Sequence, residues 1–114
     1  MPRGNQTDSL DRFFPVPPPE TFKALDQVVR SRFKLKSSDD FTLSCTFNSG
    51  ASAFTWGENF SAQVVSAEGG SNVRVQAVGK VGNQVMQSKR SNKLMNDLFE
   101  DMSRLLRAWR DAQQ

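Results

Sequence analysis

Residues 90–110 carry apolar side chains at Met95, Leu98, Met102, Leu105 and Trp109, a heptad stripe widened by Leu94, Phe99 and Leu106. This spacing predicts a helix, and a helix of that length runs about 30 Å, far enough to cross a small sheet. About two to three heptads are too few to sustain a coiled coil. The stripe must therefore be buried within the chain itself, and the partner it requires is a sheet with one apolar face.

The strands for such a sheet are legible upstream. Phe33 and Leu35 alternate with Lys34 and Lys36, and Ser37-Ser38-Asp39-Asp40 predicts a turn. Beyond it Phe41, Leu43, Cys45 and Phe47 share one face, and Thr42, Ser44, Thr46 and Asn48 share the other. That is the pattern of a half-buried antiparallel strand. Asn48-Ser49-Gly50 reads as a further turn. Phe60, Ala62 and Val64 mark a third strand, and Val73, Val75 and Ala77 a fourth, joined by a tight hairpin at Glu68-Gly69-Gly70-Ser71. Gly79 and Gly82 suggest a bulge or bend where the fourth strand runs out. Residues 11–16 are short and aromatic and precede Pro17, Pro18 and Pro19, so they predict an edge strand. The prolines then stiffen the approach to a helix over residues 20–32, with Pro19 near its first turn. That helix has Phe22, Leu25, Val28 and Val29 on one side, Glu20 at its start, and Arg30 and Arg32 at its end, as the helix dipole favours.

The expected fold is α+β and two-layered, in the order β-α-β-β-β-β-α. An antiparallel sheet of four to five strands carries both helices on its apolar face and turns the other to solvent. This order is similar to the repeat unit of the TATA-box-binding protein and, more loosely, to helix-grip domains of the START type. Such likeness of order implies a fold and no activity. Thr55-Trp56-Gly57-Glu58 at a strand start, and Lys89-Arg90-Ser91-Asn92-Lys93 leading into the long helix, give a closer likeness. Over roughly residues 13–108 the chain resembles a family of small bacterial domains of unknown function. These have a Trp-Gly-Glu strand start and a Gly-Lys-Asn-Arg-type helix start. Gln87-Ser88 stands where that family shows Trp-Gly, so no role attached to a second tryptophan transfers here.

The 114 residues fit one domain, expected over residues 11–110, with a flexible tail at 1–10 and a frayed end at 111–114. One cysteine allows no intramolecular disulfide, which suits a reducing compartment. The first ten residues are polar, and no run is long and apolar enough to span a bilayer. A cytoplasmic monomer or homodimer is the expectation. A net charge of +3 permits anionic partners without requiring them.

Histidine and tyrosine are absent, which removes the commonest general base and metal ligand. Cys45 belongs to the apolar set of its strand and reads as core, and one cysteine without histidine makes no zinc site. Gly69-Gly70 is an isolated turn and no nucleotide fingerprint is present. Asp97, Glu100 and Asp101 lie within about one helical turn and read as a solvated surface with Arg104 rather than as acid–base chemistry. The expectation is a non-enzymatic binding or accessory domain without cofactor or metal.

Its predicted site is the start of the long helix. There Ser88, Lys89, Arg90, Ser91 and Lys93 would crowd a first turn whose dipole disfavours cations, the composition of a phosphate or carboxylate seat. Phe54, Trp56, Phe99 and Trp109, with Phe33 and Phe47, are expected to line an apolar pocket under that helix or to close as core. The ligand would be anionic or amphipathic, or the partner a protein. The alternative is sequence-independent nucleic-acid binding through an acid-free sheet face bearing Lys34, Lys36, Thr42, Ser44, Thr46, Ser61, Gln63, Arg74 and Gln76, together with Lys89, Arg90 and Lys93. Such binding would weaken steeply with salt.

Overall fold

A computed structural model describes residues 9–50, 57–78 and 85–113, with side chains in the last segment from Ser91 onward. The elements are β1 (Ser9–Phe14), α1 (Pro18–Arg32), β2 (Lys34–Asp39), β3 (Ser44–Asn48), β4 (Asn59–Ala67), β5 (Gly70–Val78) and α2 (Val85–Ala112). Their order is the expected β-α-β-β-β-β-α. All five strands pair antiparallel in one sheet, in the spatial order β1-β5-β4-β3-β2. The first strand is an edge, as the prolines after it require, and it begins at Ser9, two residues before the expected strand. Phe54, Trp56, Gly79 and Gly82 lie outside the described residues.

Period-two burial defines the layers. Phe14, Cys45, Phe47, Phe60, Ala62, Val64, Val73 and Val75 are buried on one face, against Phe22, Leu25, Val28 and Val29 of α1 and Met95, Leu98, Phe99 and Met102 of α2. Phe47 stacks on Phe60 with centroids 5.3 Å apart, and Phe33 closes the cluster at 4.9 Å from Phe47. Such aromatic pairs add about 0.5–1.5 kcal/mol beyond the area they bury. Proline enters α1 where its missing N–H is no loss. The helix stops where Phe33 turns extended, its N–H still donated to the Val29 carbonyl at 2.8 Å.

Three local expectations change. Phe41 and Leu43 do not extend the strand. Residues 40–43 form a turn, Phe41 is 91% exposed and Leu43 takes a left-handed φ of 59°. The cause is Asp39, whose carboxylate accepts the N–H groups of Phe41 (2.9 Å) and Thr42 (3.4 Å), offering the backbone an alternative to the ladder. Those bonds also hold the Asp39 carboxyl below its usual range. Ser37 and Ser38 belong to β2 instead of a turn, after an irregularity between Leu35 and Ser37 that lets the edge strand continue. Finally α2 begins at Val85, five residues before the expected start. Val85-Met86-Gln87-Ser88 contains no helix breaker, and an apolar stripe marks a helix face, not its end.

Gly70 fixes the corner between β1 and α1. A Cβ there would overlap the Phe14 carbonyl oxygen and approach the Pro15 Cα to 2.8 Å. Only glycine lets β5 lie that close to the point where the chain leaves the sheet.

Candidate functional site

From Met95 to Met102 the stripe of α2 is closed core at Met95, Leu98, Phe99 and Met102, but Leu105, Leu106 and Trp109 toward its end are only partly buried. The 28 residues of α2 run about 42 Å. The terminal turns face the loop of residues 15–17 and the start of α1 instead of strands. Between them lies a groove of about 640 Å³, within the ordinary range for small-molecule sites, about 300–1,000 Å³. Its floor is apolar: Phe14, Val16, Leu106 and Trp109. Its rim carries the exposed side chains of Glu20, Lys23, Arg107 and Arg110.

The loop wall is preorganised. The Thr21 and Ser71 hydroxyls are both fully buried, and both donate to the Val16 carbonyl while lying 3.1 Å from each other. Leaving that carbonyl dry and unbonded would cost about 1–3 kcal/mol, so two hydroxyls from different elements anchor it. Pro15 and Pro17 stiffen the chain on either side. The opposite wall is the exposed end of a helix, so one side is rigid and the other less constrained.

Ion pairs neutralise the flank where α1 meets α2 and the pair of strands β1 and β5, but not the groove. Arg30 pairs with Asp26 (2.8 Å), Arg32 with Asp101 (2.7 Å), Lys93 with Asp97 (3.1 Å), Arg104 with Asp101 (3.0 Å) and Arg74 with Asp11 (2.9 Å). In the groove Arg110 reaches only Asp111, at 3.6 Å. The side chains of Glu20, Lys23 and Arg107 have no hydrogen bond or ion pair among the described residues. Three cations against one carboxylate leave this groove net positive.

The residues singled out from sequence fall elsewhere. The unbonded N–H groups of α2 belong to residues 85–88, so Lys89 and Arg90 stand fifth and sixth in the helix and the crowded first turn dissolves. The side chains of Ser88, Lys89 and Arg90 lie outside the described ones. Ser91 is buried and donates to Glu58 Oε1 at 3.2 Å, while Lys93 is exposed and pairs with Asp97 one turn on. These two therefore point to different surroundings. Phe99 is core, with Phe14 at 6.2 Å and the Arg12 guanidinium 5.0 Å over its ring. Trp109, ten residues or about 15 Å further along α2, lines the groove. Phe33 and Phe47 belong to the closed aromatic cluster. Asp97 and Asp101 are occupied by Arg32, Lys93 and Arg104, and Glu100 is exposed.

The outer sheet face is not free of acid, contrary to expectation. Asp11 shares it with Arg74, bonding the guanidinium at 2.9 and 3.2 Å, and Asp39 lies beside Ser44 at its margin. The Arg74 hydrogen bond holds the Asp11 carboxyl below its usual range and raises Arg74. This neutralises Arg74, while among the described residues Lys34 has no ion pair on that face and Lys36 reaches only the Asn59 amide oxygen, at 3.4 Å. Phe13, Val65 and Val78 are also half-exposed there.

Glu20, Lys23, Arg107 and Arg110 were not candidates in the sequence. Their only signal is a pair of basic residues three apart at the end of an amphipathic helix, which commonly means a solvated face.

No protein-family model matches the chain, and no curated protein matches its sequence. Its fold does have solved counterparts. Ara h 8.0201 superposes with a TM-score of 0.63 at 13% identity, over 90% of this chain and 98% of that one. Protein MLL2253 from Mesorhizobium loti gives 0.69 at 13% identity over the same shares. TTHA0849 from Thermus thermophilus gives 0.53 at 14%, over 87% and 92%. These neighbours place the chain in the helix-grip class, a long C-terminal helix held across an antiparallel sheet. At such identities the likeness is one of fold.

Proposed function

We propose that this is a non-enzymatic binding domain whose ligand is a small amphipathic molecule with an anionic group, seated in the groove between the end of α2, the start of α1 and the loop of residues 15–17. The observation that carries this reading is the coincidence of an apolar floor with cations that have no partner among the described residues. Everywhere else that a described side chain bridges α1 to α2 or β1 to β5, the charges are matched. At the groove Lys23 and Arg107 face one another's element unmatched. An apolar body on Trp109 and Leu106, with its anion between those cations, would satisfy both features.

The Cys45 thiol gives no support to a nucleophilic role. Cys45 is 2% exposed, and burial, with a smaller push from Asp26, raises its thiol to about 12. A thiol so protonated is a core side chain, not a nucleophile.

The test uses Trp109 as its own reporter, in protein carrying Trp56→Phe, titrated with decyl phosphate below its micelle concentration. A saturable change in emission is expected. Lys23→Ala/Arg107→Ala should weaken it several-fold, since one exposed charge pair contributes up to about 1 kcal/mol. Absence of saturable binding, or identical binding by the double variant, would refute the groove as an anion site.

A further inference from the structure

We infer that the ligand's head is zwitterionic, or pairs its anion with a hydrogen-bond donor, and that Glu20 is the residue that reads the second group. This rests on the groove being the binding site and adds the chemical class of what it holds.

Glu20 and Lys23 stand three apart on α1 and both line the groove. Side chains at that spacing are neighbours on a helix and ordinarily pair when oppositely charged. This protein uses such pairs freely: Asp101 with Arg104 at i,i+3, and Asp26 with Arg30 and Lys93 with Asp97 at i,i+4. Among the described residues Glu20 and Lys23 form no such pair, and neither do Glu100 with Arg104 or Arg107 with Asp111, both at i,i+4. What sets Glu20 and Lys23 apart is that both line one groove with Arg107. The first-turn dipole explains an acid at position 20, but an acid serving only the dipole has no reason to avoid the lysine beside it.

The consequence for a ligand is definite. An ionised carboxylate accepts hydrogen bonds and donates none. A purely anionic head drawn to Lys23 and Arg107 meets the like charge of Glu20 on the same rim. A head that adds an ammonium or other donor satisfies all three. Selectivity would then come as much from repulsion of the wrong head as from attraction of the right one.

Three probes of equal chain length separate the cases: decylphosphocholine, decyl phosphate and decyltrimethylammonium, each below its micelle concentration. The readout is Trp109 emission in the Trp56→Phe background. The unmodified rim should bind decylphosphocholine tightest and the bare cation weakest. Glu20→Gln should weaken decylphosphocholine up to about fivefold, the reach of one exposed charge pair. The same change should tighten decyl phosphate, and Glu20→Asp should keep the original order. Thermal unfolding of each variant reports whether the fold persists. If Glu20→Gln tightens both phosphate-bearing probes or alters neither, the zwitterion inference is wrong. The groove reading survives that result so long as Lys23→Ala/Arg107→Ala still weakens decyl phosphate. If no probe binds saturably, both fall together.

Discussion

The two halves of α2 solve the same problem differently. From Ser91 to Met102 the helix lies on the sheet, its inner side chains are buried, and Asp97 and Asp101 on its flank bind Arg32 of α1, Lys93 and Arg104. From Ser103 to Gln113 the chain has left the strands, its apolar residues are half-buried, and Arg107 has no partner among the described residues. The first half is committed to the fold. The second keeps apolar surface and charge in hand, which a purely structural helix end would exchange for polar residues. That difference locates the candidate site.

Truncation should separate the halves most sharply. Phe99→Ala, at a residue 1% exposed, should cost about 3–5 kcal/mol of stability in denaturant unfolding. Leu106→Ala, where the site is already open, should cost well under half of that and should weaken ligand binding instead. Equal losses at the two positions would mean the groove end is as much core as the rest.

The committed side should also be sensitive to alkali. Cys45 has its thiol pushed from 9.0 to about 12 by burial. The folded state therefore holds its proton between those values while the unfolded chain releases it. Stability is full below pH 9 and falls as pH rises toward 12, by up to about 4 kcal/mol at about 1.36 kcal/mol per pKa unit. Cys45→Ala should flatten that decline in alkaline unfolding curves. An unchanged slope would assign it to other groups.

The smallest contrast is electrostatic. Arg32→Ala removes a partner of Asp97 and Asp101, with side chains 24–38% exposed, and should cost about 0.2–1 kcal/mol, less at high salt. Arg107→Ala should leave thermal stability within error, having no described ion pair to lose. A destabilising Arg107→Ala would erase the distinction between the matched flank of α1 and α2 and the unmatched groove.

Most of the fold was legible because periodicity is local. The i,i+3/i,i+4 apolar residues of Phe22 to Val29 and of Met95 to Trp109, and the alternation at Phe60 to Val64 and Val73 to Ala77, each name a buried face. The failures came where a side chain competes with that pattern. Phe41 and Leu43 continue the alternation by residue type, yet Asp39 takes their backbone into a turn. Helix starts were equally hidden, since Val85 to Ser88 can join a helix or a loop. That ambiguity created an anion site at Lys89 and Arg90 which the longer helix does not support.

The candidate site is a different kind of fact. Glu20 and Lys23 are separated from Arg107 by most of the chain, and nothing in their local sequence says that they share a rim. Val16 is one apolar residue among prolines until Thr21 and Ser71, 50 positions apart in the chain, bond with it. From sequence come the element order, the layer each strand faces, the absence of histidine chemistry and the core role of Cys45, because each depends on residue type and short-range spacing. Which charges are left unmatched, and which apolar residues outrun the sheet, depends on how far α2 extends past strands it meets only in three dimensions. Only the tertiary structure could decide that.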